Sequence, residues 1–129
     1  MNSSAKLAIT LLLGASIGGV VVHQLHAQAK PPAYVIVQLG EVRDPSVGEE
    51  LRSKMTAVTL AHGGKYLARG AKNVTPLEEK PAPRSVVIIA FENVEKALAY
   101  RNSEAYRAVM PLRDKGTGDH SWIVEGLAN

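Results

Sequence analysis

Residues 85–91 read SVVIIAF, and the period of that run decides the fold. Taken alternately, the residues give two faces, Val86, Ile88 and Ala90 on one and Val87, Ile89 and Phe91 on the other. Both are apolar. An antiparallel strand covered on one side alternates apolar with polar residues, so this strand asks for a cover on each side.

Working outward shows how little cover the chain itself can supply. Upstream, YVIVQLGEV from Tyr34 is a second β-branched run and reads as the first strand. Asp44 followed by Pro45 is an N-cap and N1 pair, with Glu49 and Glu50 placed where a helix dipole favours them. Val47, Leu51, Met55 and Val58 then line one helical face, and Gly63 suits the left-handed position that ends a helix. KYLARG reads as a strand and NVTPLEEKPAPR as a turn-rich connection. Downstream of the central run, Asn93 caps the helical VEKALAYRN, and Ser103 offers a second cap before EAYRAVM. Pro111 is expected to kink or restart that helix, Gly116 and Gly118 to close it, and DHSWIVEGL to form the last strand. The order is βαββαβ, an α+β chain of the ferredoxin-like kind. Its helical segments can cover one face of a four-stranded sheet. A second copy, sheet against sheet in a two-fold homodimer, is the simplest cover for the other. The sequence leaves open which of the two residue sets faces that partner.

The first 29 residues read as a signal peptide. Lys6 precedes an uncharged apolar run over residues 7–22, and Ala27 and Ala29 supply an A-x-A site, so cleavage is expected after Ala29. The product would be periplasmic or secreted. The alternative is an N-terminal membrane anchor, but sixteen residues interrupted by Gly14, Gly18 and Gly19 fall short of the roughly 20 that span a bilayer. What remains, residues 30–129, is expected to be one domain. Removing Lys6 from the 15 basic residues leaves 14 against 12 acidic, with no basic run, so nucleic acid is not an expected partner. The chain has no cysteine. In an exported protein that excludes a disulfide scaffold and throws stability onto the core or a subunit interface.

With the elements placed, the chain resembles the domain of unknown function 1330 family from Tyr34 to Glu125. The matches are AYVIV in the first strand, DP at the helix start, HGGKYLARG at the helix-to-strand junction, VVIIAF, SEAYRAVMPLR and the terminal VEG. Their order and spacing carry the resemblance. It implies the dimeric α+β barrel superfamily, and it implies no established substrate, cofactor or catalytic residue.

Candidate chemistry is sparse. GGKYLARG lacks the spacing of a phosphate loop and leads into a strand, so its glycines are expected to turn the chain. Arg69 is either a solvated arginine or a planar clamp for a carboxylate, with Tyr66 nearby. Tyr106 and Arg113 lie seven apart on one helical face; the tyrosine belongs to the core or orients a ligand, and the arginine also suits a helix C-terminus. His120 shares strand parity with Trp122 and would act as an acid or base if both faced a pocket. His62 and His120, the histidines left after cleavage, make no metal-binding pair, so neither a metal nor another cofactor is expected. Asn73 opens an NVT glycosylation sequon.

These residues define three functional readings. The first is a homodimer binding a small anionic or aromatic molecule in a sheet–helix pocket, through Arg69, Tyr66, Tyr106, Arg113 and His120. The second is a cofactor-independent, monooxygenase-like enzyme in which His120 or Tyr66 handles a proton. The third is a structural dimer without a ligand.

Overall fold

The β-branched runs set the centre of the sheet. In the computed structural model, which describes residues 30–128, β1 (Ala33–Leu39) and β3 (Ser85–Phe91) pair antiparallel along their whole length, Ala33 opposite Phe91 and Leu39 opposite Ser85. The expected leader, residues 1–29, lies outside the described residues, and with it the expectations of cleavage and anchoring. β2 (Lys65–Ala68) flanks β3 and β4 (His120–Glu125) flanks β1, giving a four-stranded antiparallel sheet in the order β2-β3-β1-β4. Three helices complete this mixed α+β fold: α1 (Gly48–Ala61), α2 (Val94–Arg101) and α3 (Glu104–Gly116).

Short polar side chains cap α2, α3 and the 3-10 turn that leads into α1, whose own N-cap, Val47, offers no side-chain hydrogen bond. Asp44 opens a single 3-10 turn, Pro45–Val47, ahead of α1. Its carboxylate accepts from the Ser46 hydroxyl at 2.6 Å and the Ser46 amide at 3.0 Å. Those bonds hold its pKa below the ordinary value. Asn93 and Ser103 accept from the amides of Lys96 and Tyr106. Ser103 thus splits the second helical stretch into α2 and α3. Pro111 does not break α3, which runs through it to Gly116. The turn beyond the proline is held by Arg113, whose guanidinium bonds Tyr106 and Asp119.

The two glycines after α1 do different work. Gly63 has φ +79°, the left-handed conformation that ends a helix, and its amide bonds the Leu60 carbonyl. At Gly64 a Cβ would lie 2.7 Å from Thr59 Cγ2 and 2.9 Å from Phe91 Cζ, so that position admits no side chain without repacking. Beyond them β2 is shorter than KYLARG suggested. A register shift between Tyr66 and Ala68 interrupts the ladder, whose last pair is Ala68 with Ile88. The Asn73 side chain then takes the place of a strand residue, donating to the Val86 carbonyl at 2.7 Å and accepting from the Val86 amide at 2.9 Å.

The helices lie on one face of the sheet only. Ile89 and Phe91 are buried there with Ala33 and Val35 of β1, against Val58 of α1, Ala97 and Tyr100 of α2, and Tyr106 and Val109 of α3. Phe91, Tyr100 and Tyr106 form an aromatic cluster with ring centroids 4.9 and 5.0 Å apart. On the opposite face Ile36 stands between Ile88 of β3 and Trp122 of β4, and Tyr34 between Ala90 and Val124. No described helix covers that face, and Trp122 and Val124 are 52% and 44% exposed. Strand β3 is therefore apolar on both sides while the described residues pack only one.

Candidate ligand cleft

The five residues singled out by sequence fall into three places. Tyr66 and Arg69 form the first, at the β2 edge. The guanidinium of Arg69, an exposed residue just past the strand, lies 4.5 Å from the Tyr66 ring centroid, and its nearest acceptor is the Arg52 carbonyl at 3.4 Å. The Tyr66 hydroxyl donates to Thr59 Oγ1 at 3.2 Å, and Thr59 Oγ1 lies 3.1 Å from the Tyr100 hydroxyl. This chain of hydroxyls is a closed polar seam between α1, α2 and β2. Burial pushes the Tyr100 phenol up to about 12, with the Thr59 hydrogen bond opposing the shift.

Tyr106 and Arg113 form the second. Their seven-residue spacing brings them together, with Arg113 Nη1 donating to the Tyr106 hydroxyl at 3.1 Å. Arg113 Nη2 donates to the Asp119 carbonyl at 3.3 Å, and Nε lies 3.7 Å from the Asp119 carboxylate. That carboxylate also accepts from the Gly40 amide at 3.1 Å. Both side chains of the ion pair are largely buried, so Arg113 pins the end of α3 to the start of β4 and holds the Tyr106 ring in place.

His120 forms the third place, on the open face of the sheet, its ring stacked against Trp122 with centroids 6.4 Å apart. Tyr66, Arg69 and His120 are thus not brought to a common point.

A cleft of about 240 Å³ lies where α2 and α3 meet β4. Tyr100, Tyr106, Val35 and Ile123 make up its apolar wall, and Arg101, Ser121 and Trp122 its polar and exposed side. The Arg101 guanidinium lies 4.8 Å from the centroid of the Tyr106 ring. Of the five sequence candidates only Tyr106 lines this cleft. Arg101 escaped sequence reasoning for a definite reason. Five residues along a continuous helix turn a side chain by about 140°, and Arg101 reaches Tyr106 only because the chain breaks at Asn102 and Ser103. A larger cleft of about 380 Å³ runs past Ala61, His62, Gly63, Glu92 and Lys96. His62 is committed there, its Nδ1 2.8 Å from the Val58 carbonyl, and the lining has no aromatic wall. Among the described residues no group of three or more His, Cys, Asp or Glu is arranged to hold a metal, and no helix is long and apolar enough to cross a membrane.

Comparison with known proteins agrees with the fold and is silent on chemistry. A crystal structure of RPA0582, a protein of unknown function from Rhodopseudomonas palustris, is similar with a TM-score of 0.56 and 18% identity, over 83% of this chain and 92% of that one. A methylated form of RPA0582 gives a TM-score of 0.50 at 18% identity, over 83% and 90%. At such identities the likeness concerns the fold alone. No curated protein matches the chain significantly. The sequence motifs and the fold converge on one assignment: over residues 32–127 the chain matches the family described as Domain of unknown function (DUF1330), and it belongs to that family.

Proposed function

We propose that this protein is an exported homodimer that binds a small anionic or aromatic molecule at the boundary between sheet and helices. The lining of the 240 Å³ cleft carries the ligand reading. Two tyrosine rings wall it, and an exposed arginine adds a cation. An aromatic wall with one fixed charge is the usual make-up of a small-molecule site. The volume lies below the roughly 300 Å³ at which drug-sized pockets begin, so a single-ring acid such as benzoate fits its scale. The monooxygenase-like alternative has less support, since neither Tyr66 nor His120 lines the cleft and the Tyr66 hydroxyl is spent on Thr59.

The dimer reading rests on the open sheet face. Four strands about 4.8 Å apart and six residues of about 3.3 Å rise give a face of about 400 Å² in projection. Side-chain relief raises its accessible area further, toward the roughly 800 Å² per partner of a standard interface. Its one charged side chain, Lys65, lies on the edge strand β2, so a second copy can approach without opposed charges at the centre. The order β2-β3-β1-β4, with helices following β1 and β3, favours the ferredoxin-like subunit of a dimeric α+β barrel. Export rests on Lys6, the apolar run and the Ala27–Ala29 pair.

Thermal denaturation with benzoate as probe tests the ligand reading. Binding to the folded state raises the apparent melting temperature, and Arg101→Ala should weaken benzoate about tenfold, close to one charge-assisted hydrogen bond at an exposed site. A melting temperature unmoved by benzoate, phenol and acetate at about 10 mM would leave a dimer without this ligand class.

A further inference from the structure

Two polar side chains at the rim of the 240 Å³ cleft are left without a task inside the subunit. Ser121 stands opposite Val37 and Ile123 opposite Val35, so both project from β4 toward the helix-covered face, while Trp122 between them stacks with His120 on the other. Arg101, at the end of α2, reaches the same cleft, its guanidinium 4.8 Å from the Tyr106 ring centroid. Both Arg101 and Ser121 are exposed, and among the described residues neither the guanidinium nor the hydroxyl has a hydrogen-bond or ion-pair partner. The inner wall is the reverse. Val35 and Ile123 are apolar, the Tyr100 hydroxyl is engaged with Thr59, and the Tyr106 hydroxyl accepts from Arg113.

We propose that the cleft takes a one-ring aromatic monocarboxylate in one orientation, ring inward against Tyr106 and Ile123 and carboxylate at the rim, bridged between the Arg101 guanidinium and the Ser121 hydroxyl. This rests on the ligand reading above and adds to it the orientation and a second specificity-determining residue, Ser121. Desolvation sets the direction. A carboxylate driven inward would lose its water and meet only apolar or already engaged groups. At the rim it keeps part of its hydration and finds two donors, one for each of its oxygens. The ring, turned inward, gains apolar burial instead. Arg113 cannot stand in for Arg101, since its guanidinium is committed to Tyr106 and Asp119.

Isothermal titration of the protein, expressed from its full sequence, with benzoate and with benzene-1,4-dicarboxylate tests both parts. Ser121→Ala should weaken benzoate about fivefold, the net worth of one hydrogen bond at an open rim. Ser121→Thr keeps the hydroxyl and should stay within about twofold of the wild-type affinity. The dicarboxylate, whose second charge must enter the apolar end, should bind about tenfold more weakly than benzoate. Benzoate affinity unchanged in Ser121→Ala, or lost equally in Ser121→Thr, overturns the bridge and leaves the ligand reading standing. Equal affinity for the two acids overturns the orientation and likewise spares that reading. Benzoate binding absent from the wild-type protein overturns the inference together with the ligand reading.

Discussion

Two neighbouring isoleucines make a paired test, because strand geometry sends them to opposite sides of the sheet. Ile89 is 3% exposed and packs against the helices, while Ile88 faces Ile36 on the open side. Replacing Ile89 with lysine forfeits about 2–3 kcal/mol of burial and strands an ammonium in the core at a cost of several kcal/mol more. A sum above about 5 kcal/mol meets or exceeds the lower end of the 5–15 kcal/mol available to a domain, so Ile89→Lys should be largely unfolded by circular dichroism. The open side imposes no such penalty on the isolated subunit. A lysine at position 88 can run its stem along the sheet and keep its ammonium in water, so the subunit should keep its fold to within about 1 kcal/mol. In the dimer, two-fold symmetry places two such lysines in the interface. A cost of about 3 kcal/mol there weakens association about 150-fold. Ile88→Lys should therefore sediment as a folded monomer. If both variants unfold, the open face is packed within the subunit and the argument fails; if Ile88→Lys remains dimeric, the interface lies elsewhere.

The remaining expectations are simpler. Gly64→Ala should lower stability by about 1–3 kcal/mol by overpacking against Thr59 and Phe91, read from urea melts; an unchanged midpoint would mean that α1 shifts freely. Tyr100 is raised from an ordinary value near 10 to about 12. Its folded form therefore holds the proton more tightly than its unfolded form, so the stability it confers is intact below pH 10 and declines as pH rises from 10 to 12. The total loss is about 3 kcal/mol, set by two pKa units, and Tyr100→Phe should flatten that slope. Mass spectrometry of the N-terminus after expression in a bacterial host should find the chain beginning at Lys30, whereas intact Met1 in the membrane fraction would favour an anchor.

Much of the fold was legible because local chemistry and tertiary packing agree. The β-branched runs became the two central strands, Asp44, Asn93 and Ser103 cap as their side chains allow, and Gly63 takes the one conformation that favours glycine. Legibility failed where tertiary contacts override local rules. Pro111 remains inside α3, whose last turn is tied down by Arg113 and Asp119, a contact between residues whose pairing no periodicity announces. Asn73 reads as a glycosylation sequon, yet both ends of its amide are committed to the backbone of β3. Tyr106 and Arg113 were placed together correctly by helical spacing, but that spacing could not show that Asp119 would occupy the arginine. Arg101 was invisible because its partner lies across a helix break, and the cleft it helps to line was missed with it.

The account stands or falls on what covers the even-numbered face of the sheet. Ile36, Ile88 and Trp122 form a continuous apolar row there that the described helices leave open. Light scattering of the purified protein at low micromolar concentration measures the consequence directly. The account predicts twice the subunit mass. A clean subunit mass at that concentration would contradict it.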